Sequence, residues 1–261
     1  MELFVFLSFV FGATVGSFLG VLIDRLPRGE DVVFKPSHCE SCKHTLHASD
    51  LLPILSWVFL KGQCRYCGTS LSRFYPFIEI LTGTVFALIT YFFWSPLLLT
   101  SVGLINLGFY VFIASVLIVV FFADWKYGII PDAVIVPGIG VTTLWLLFNP
   151  FAQPYDIGPF IAALVGMLGL LMIVVFTRGR GMGLGDVKFA VLMGLLAGYP
   201  RILVAFYIAF LTGAWAGVIL LLTGRKKLKQ TIAFGPFLVL GLVCAMTIGD
   251  QLVDFLIPYF K

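Results

Sequence analysis

The sequence predicts an all-α polytopic membrane protein with about eight transmembrane helices and one small polar domain between the first and the second. Of its 261 residues, 60% are hydrophobic and 11% are charged, whereas charged residues make up about a quarter of a soluble domain. The mean hydropathy is +1.06. Long apolar stretches recur along the chain, and a single polar stretch from about residue 27 to residue 75 interrupts them.

A transmembrane helix needs about 20 apolar residues, and eight such stretches follow one another. The first begins directly after Met1-Glu2, with neither a basic start nor a cleavage site, so we expect it to remain as a helix. The sixth is short and ends in Gly198-Tyr199-Pro200. We count this stretch as a span because, without it, the basic cluster at 225–229 would lie on the outer side of the membrane. The predicted spans are 3–24, 76–95, 102–123, 132–149, 157–177, 185–200, 201–223 and 233–257.

The lysines and arginines orient these spans, because short cytoplasmic loops accumulate positive charge. Almost all of them fall in odd-numbered loops, so these loops should be cytoplasmic and both chain ends should face outward. The even-numbered loops and the ends hold only Arg201 and Lys261. The odd loops hold Arg25, Arg28, Lys35, Lys43, Lys61, Arg65, Arg73, Lys126, Arg178, Arg180, Lys188, Arg225, Lys226, Lys227 and Lys229.

This topology predicts three parts: a first helix at 1–26, a cytoplasmic metal-binding domain at 27–75 and a membrane-embedded core at 76–261. The formal net charge of +4 is explained by an inner face that meets anionic lipid. We therefore expect membrane lipid, and no nucleic acid, as the partner of these charges.

Four cysteines in the polar stretch form two C-x-x-C pairs, Cys39/Cys42 and Cys64/Cys67, with 21 residues between the pairs. This spacing is typical of a zinc ribbon. Four thiolates complete a tetrahedral Zn²⁺ site and leave no position for a reacting water, so the metal should be structural. A loop of this size has too little apolar content for a core, and metal binding would supply much of its folding free energy.

Two disulfides are the alternative, which a reducing cytosol disfavours. His38, His44 and His47 lie nearby and could replace a thiolate, although a complete cysteine set favours surface or packing roles for them. Cys244, in the last span, is interpreted as a small buried apolar residue.

Two aspartates lie where predicted spans meet the inner face: Asp124 at the end of the third and Asp186 at the start of the sixth. A carboxylate at the edge of the hydrocarbon is costly and indicates a functional site. Two interacting carboxylates titrate in separate steps, so one can activate water while the other polarises a carbonyl. The hypothesis is an aspartyl protease. Lys126 and Lys188 would stabilise a carboxylate or meet acidic substrate residues, although inner-face anchoring is the favoured role for Lys126.

Asp186 ends a segment with four glycines, residues 178–186, which allows backbone to pass close to another chain. It lacks the strand and the Gly-Lys-Ser/Thr ending of phosphate-binding loops. The simpler alternatives are that Asp186 only caps a helix and that Asp124 and Asp132 only flank an Ile-Pro turn. Two other function classes remain open: an ion-coupled transporter that uses Asp124 and Asp186, and a membrane scaffold that docks a partner through the cysteine knuckles.

The chain resembles the type IV prepilin peptidases, also called type IV leader peptidases, from residue 12 to the last span. Several motifs carry this resemblance in the same order along both. They are residues 16–27 at the first span, 52–57, 62–67 and 73–79 in the polar stretch, Asp124 through Asp132, Gly-Met-Gly-Leu-Gly-Asp-Val-Lys at 181–188, and Phe-Gly-Pro-Phe at 234–237.

The resemblance implies cleavage of the basic leader of prepilins or pseudopilins at the cytoplasmic face of the bacterial inner membrane, with Asp124 and Asp186 as the catalytic pair. It also implies N-methylation of the new N-terminal residue with S-adenosylmethionine, for which Glu79 is a weak candidate binding residue. Gly20 stands where the family commonly has asparagine, and Asp24 where an aromatic residue or histidine is commoner. The cysteine quartet and Glu79 are retained, which favours the bifunctional form.

Overall fold

The computed structural model describes residues 1–32, 34–94, 100–148, 157–179, 181–223 and 233–256, and these residues are helical apart from loops and isolated bridges. The described helices are α1 Glu2–Arg25, α2 Leu55–Phe59, α3 Phe74–Phe92, α4 Ser101–Tyr127, α5 Asp132–Phe148, α6 Gly158–Thr177, α7 Leu184–Ala197, α8 Arg201–Leu222 and α9 Gly235–Leu256. Short 3₁₀ turns cover Leu26–Arg28 and Ala48–Asp50.

Each predicted span coincides with one of these helices within four residues in the described part of the chain. Six of them, α1, α3, α4, α6, α8 and α9, are long and apolar enough to cross a membrane. α5 has 17 residues and α7 has 14, which at 1.5 Å per residue gives about 26 and 21 Å against a hydrocarbon core of about 30 Å. The protein is a multi-pass membrane protein, and the count of eight spans is not confirmed.

Some predicted features lie outside the described residues. They are the ends of three spans at 95, 149 and 257, the basic residues Arg180, Arg225, Lys226, Lys227 and Lys229, and Lys261. The inward and outward faces of the remaining loops stay a prediction.

The chain divides into two compact units, Met1–Val119 and Val120–Lys261. The predicted division into 1–26, 27–75 and 76–261 stays a prediction. In the first unit α1 packs closely against α3, because glycines on α1 remove the side chains that would separate the helices. A Cβ at Gly12 would lie 2.8 Å from the Cα of Gly83, and one at Gly16 would lie 2.8 Å from the Cα of Glu79.

In the second unit α6 packs on α7 and α8 packs on α9. Gly194 of α7 lies directly against the backbone of Ala163 of α6, and Gly241 of α9 lies against the carbonyl of Ala205 of α8. Small residues therefore set the helix spacing in this unit as well. α7 is buried along most of its length, so its first turn, which carries Asp186, is held in place from several sides.

Candidate active site and metal centre

Asp124 lies in the last turns of α4 and is 5% exposed. Its Oδ2 accepts a hydrogen bond of 2.7 Å from the backbone N–H of Gly235. Gly235 is the first residue of α9, where the backbone N–H has no partner within the helix and the helix dipole favours a negative charge. The first turn of α9 therefore holds this carboxylate.

Gly235 has no room for a side chain. A Cβ there would lie 2.7 Å from Asp124 Oδ2 and 3.0 Å from both Cβ and Cγ of Asp124. The absence of a side chain is thus what allows the backbone of α9 to reach the carboxylate.

Asp186 is the third residue of α7 and is 8% exposed. Its Oδ2 accepts a hydrogen bond of 3.1 Å from the N–H of Gly183. A residue that caps a helix start is expected to make this interaction. One of the two oxygens of Asp186 therefore caps α7, as the simpler alternative predicted. In the described part of the chain, the other oxygen of Asp186 and the other oxygen of Asp124 accept no hydrogen bond.

The fold brings Asp124 and Asp186 toward each other, because Ile130 in the turn after Asp124 contacts Gly185, the residue before Asp186. Two carboxyl groups that interact strongly lose their protons in separate steps. One can be a neutral hydrogen-bond donor while the other is an ionised base. With one oxygen of each held by backbone, the two remaining oxygens can bind a water or a carbonyl oxygen.

The turn after Asp124 contacts the start of α7. A Cβ at Gly185 would lie 3.1 Å from Cβ of Ile130, and Nζ of Lys188 lies 2.7 Å from Oδ2 of Asp132. Lys188 therefore pairs with Asp132, and the expectation that it stabilises a catalytic carboxylate directly is replaced by this contact. Lys126 is exposed, with Nζ 5.3 Å above the ring of Tyr127.

The four predicted cysteines meet in the first unit, with all four Sγ atoms within 4.8 Å of one another. Cys39 and Cys64 are buried, and Cys42 and Cys67 are exposed. The Sγ atoms of Cys39 and Cys67 are 3.8 Å apart. Four sulfurs at about 2.3 Å from a tetrahedral zinc would be about 3.8 Å apart, so the cluster has the size of a metal site. All four thiols are free rather than paired in disulfides.

Backbone hydrogen bonds shape both knuckles in the same way. In each, the N–H of the first cysteine donates to the carbonyl five residues later, and its own carbonyl accepts from the N–H four residues later, at 2.8–2.9 Å. The Thr69 hydroxyl lies 3.3 Å from Cys67 Sγ, and hydrogen bonding to Thr69 lowers the pKa of the Cys67 thiol to about 6. The thiolate, which is the form that binds metal, is thereby favoured.

The nearby histidines pack around the cluster instead of completing it. The ring of His44 lies 3.8 Å from the ring of Tyr66, centroid to centroid, and Tyr66 donates a hydrogen bond of 2.9 Å to Asp50. Burial would raise the pKa of the Asp50 carboxyl, but hydrogen bonds from Tyr66 and the His47 backbone and the charge of Arg65 outweigh it and hold this pKa below its usual range.

Glu79 lies in the second turn of α3 and is 7% exposed. Its Oε2 accepts a hydrogen bond of 2.7 Å from the N–H of Ile54. The carboxylate therefore ties the polar stretch to α3.

Gly235 and Ile54 are the positions whose roles the residue patterns did not predict. Gly235 lies in the Phe-Gly-Pro-Phe motif, which carries the family resemblance but indicates no role for the glycine. A glycine before a proline at the start of an apolar stretch indicates a helix start, but not which side chain that start meets.

Comparison with known proteins decides the family. The family model described as the bacterial peptidase A24 N-terminal domain matches residues 10–93, and the model of the type IV leader peptidase family matches residues 110–218. The chain is 32% identical over 249 residues to the "Prepilin leader peptidase/N-methyltransferase" of Bacillus subtilis (strain 168), covering 95% of this chain and 96% of the relative. The chain belongs to the type IV leader peptidase family.

Further relatives carry the same name. The chain is 33% identical over 230 residues to the "Prepilin leader peptidase/N-methyltransferase" of Myxococcus xanthus (strain DK1622), covering 85% of this chain and 65% of the relative. It is 26% identical over 281 residues to that of Stutzerimonas stutzeri, covering 95% and 92%. No solved structure matches the chain. Asp124 falls within the second matched region, and so does Asp186, whereas the cysteine quartet falls within the first.

Proposed function

We propose that this protein is a membrane aspartic endopeptidase that removes the basic leader of prepilins or pseudopilins and N-methylates the new N-terminal residue. The observation that supports the peptidase activity is the contact between Ile130, in the turn after Asp124, and Gly185, next to Asp186, in a chain of the type IV leader peptidase family. Nothing in the comparisons favours an ion-coupled transporter.

In this mechanism the ionised aspartate takes a proton from a water molecule, whose oxygen attacks the scissile carbonyl carbon. The neutral aspartate donates its proton to the carbonyl oxygen, which gives an uncharged tetrahedral intermediate. When the C–N bond breaks, the aspartate that took the proton from water donates it to the leaving nitrogen, and the other aspartate takes a proton from one hydroxyl of the intermediate, whose oxygen re-forms a carbonyl. The pair thus returns to one shared proton.

The surroundings of the two acids have distinct roles in this proposal. The N–H groups of Gly235 and Gly183 each occupy one carboxylate oxygen, which fixes the direction of the remaining oxygens. Low exposure strengthens the interaction between the acids, because a low effective dielectric screens charges less than water does. A prepilin, with a basic leader and an apolar helix, would place its cleavage site at the membrane interface, where both acids are predicted to lie.

For the polar stretch we propose a structural Zn²⁺ held by Cys39, Cys42, Cys64 and Cys67. The size of the cluster and the four free thiols fit this metal. Bound zinc would cross-link the two knuckles and supply folding free energy without taking part in peptide cleavage.

The methyl-transfer proposal depends on the names of the relatives, all of which include an N-methyltransferase. S-adenosylmethionine would supply the methyl group. Glu79 stays a weak candidate for holding it, with Oε2 bonded to the N–H of Ile54. We further propose the bacterial inner membrane as the location, with the zinc domain and the catalytic aspartates at the cytoplasmic face.

The experiment that tests the peptidase is reconstitution of the full-length protein in lipid with a prepilin, read out by product mass. Asp124→Asn and Asp186→Asn should each abolish leader removal while the protein stays folded. Asp250→Asn is the matched control, since Asp250 forms an exposed pair with Arg201 and should leave cleavage unchanged. Normal cleavage by either catalytic-site variant would overturn the dyad.

The mass of the same product also tests the proposed methyl transfer. With S-adenosylmethionine added, the wild-type product should gain the mass of one methyl group at its N-terminus. An unmodified product with and without the cofactor, from an enzyme that cleaves, would remove methyl transfer and leave the peptidase standing.

A further inference from the structure

The polar stretch contains one segment that is apolar and exposed, Leu51–Leu60. Five side chains of the segment are between 39% and 79% exposed: Leu51, Leu52, Leu55, Val58 and Phe59. In water such a surface would be costly, at about 25 cal/mol for each Å² of apolar area. A concentration of exposed apolar residues of this kind indicates an interaction surface.

The structure shows where this segment lies along the axis of α3. α3 has 19 residues, which span about 28 Å and are all needed to cross a hydrocarbon core of about 30 Å. Glu79 lies in its second turn, and a helical side chain leans toward the helix N-terminus. The bond from Ile54 N–H to Glu79 Oε2, 2.7 Å long, therefore places Ile54 level with the first turn of α3, at the hydrocarbon boundary.

Glu79 holds the segment in an unusual conformation. Ile54 has φ +62° and ψ −51°, and the N–H of Leu55 donates to the carbonyl of Pro53 across it. This is the rare γ-turn, and it is strained for a β-branched residue. Such a conformation persists only where its surroundings enforce it, and the bond to Glu79 is such a constraint. The segment is thus fixed to α3.

Much of the backbone of the segment is hydrogen-bonded within the segment itself. The amides of Ser56, Val58, Leu60, Lys61 and Gly62 all donate to carbonyls within residues 52–58. The hydroxyl of Ser56 is also bonded internally, to the carbonyl of Leu52. Backbone that is satisfied within its own segment can enter the hydrocarbon region, and backbone that needs water cannot.

The remaining residues suit a membrane interface. Trp57 is largely covered, and its ring packs over Gly62, where a Cβ would lie 2.8 Å from Cζ2. Tryptophan is enriched at the level of lipid headgroups. Lys61, which is exposed, follows the segment immediately, and a cation at this position would meet anionic headgroups.

We propose that Leu51–Leu60 is an interfacial membrane anchor whose five exposed side chains contact lipid acyl chains in the leaflet on the side of the cysteine knuckles. The partner is lipid because the bond to Glu79 holds the segment beside the start of α3, whose apolar residues Phe77 and Ile80 are 51% and 46% exposed. The anchor sets the height of the second knuckle, which begins at Cys64, above the membrane.

The test uses the full-length protein in liposomes of zwitterionic and anionic lipid, with a benzoylphenylalanine photo-crosslinker at Phe59. The expected result is covalent lipid adducts at a yield comparable to that from Phe77 and several-fold above that from Glu40, an exposed residue of the first knuckle. A yield at the level of Glu40 would overturn the proposal. Adducts that form with an added prepilin but not with lipid would also overturn it, in favour of a substrate-binding surface.

A second measurement needs no substitution. A five-residue helix in water frays, so its amides should exchange hydrogen as fast as those of the 40–47 loop if the segment is solvated. In liposomes we expect the amides of residues 55–60 to exchange several-fold more slowly than that loop. Equal exchange rates would contradict the anchor. Neither readout depends on cleavage, so the outcome is independent of the proposed peptidase activity.

Discussion

The cysteine cluster and the aspartate pair are assembled from very different distances along the chain. The cysteines come from two short loops, and Cys39 and Cys67 are 28 residues apart. Asp124 and its partner Gly235 are 111 residues apart, and Asp186 comes from a third helix. The knuckles are shaped by hydrogen bonds within a few residues of each cysteine. The aspartates are positioned by helix ends that only the packing of the second unit brings together.

The two sites should therefore fail for different reasons. Loss of one thiolate removes a candidate metal ligand directly and leaves the surrounding backbone pattern intact. Loss of a helix contact in the second unit misplaces a carboxylate whose own residue is unchanged.

Gly235→Ala should have the largest effect on cleavage. The new Cβ would displace Asp124, and misplacing a catalytic group by about 1 Å can cost on the order of 100-fold in rate. The measurement is kcat and KM for leader removal, with the loss expected mainly in kcat. Gly140→Ala is the control, because a Cβ at Gly140 meets nothing within 4 Å. Equal activity of both variants would mean that the contact to Asp124 is unimportant.

Cys39→Ser should release the metal and destabilise the polar stretch, since structural zinc contributes about 10–16 kcal/mol of binding free energy in zinc-finger peptides. Zinc content of the pure protein and protease resistance of the loop are the measurements. Cys244→Ser, outside the cluster, should keep both. Cleavage is expected to survive if the second unit folds without the metal. A variant with full zinc content would contradict the four-cysteine site.

Gly16→Ala should lower stability without touching either site. Its Cβ would lie 2.8 Å from the Cα of Glu79 and 3.0 Å from the carbonyl oxygen of Ile78, and overpacking of this kind costs about 1–3 kcal/mol. Thermal unfolding in detergent measures the effect. Gly108→Ala serves as the comparison, because the space around Gly108 is open. An unchanged melting temperature for Gly16→Ala would show that α1 and α3 can separate at little cost.

The Lys188–Asp132 pair should contribute least. Its side chains are 48% and 59% exposed, and exposed ion pairs are worth about 0.2–1 kcal/mol. Lys188→Gln and Asp132→Asn should therefore each reduce cleavage by a small factor. The double variant should be no worse than either single variant. A loss as large as that of Gly235→Ala would instead indicate a direct catalytic role for one of the two residues.

The helices and the cysteine cluster could be predicted from residue patterns alone. Long apolar runs form helices because a membrane leaves no other partner for the backbone, so every predicted span coincides with a helix. The C-x-x-C pairs bring two thiols together through local turns. The residues that carry the family motifs, including Asp124 and Asp186, were also recognisable without coordinates.

The contacts that those residues make depend on how the helices and loops pack together. The contact of Gly235 with Asp124, the pairing of Lys188 with Asp132 and the bond from Ile54 to Glu79 all join residues on different helices or loops. A periodic apolar pattern specifies that a helix buries a face, but not which helix it packs against or how closely. Those distances depend on small residues at the contacts, and they become visible only when both partners are in place.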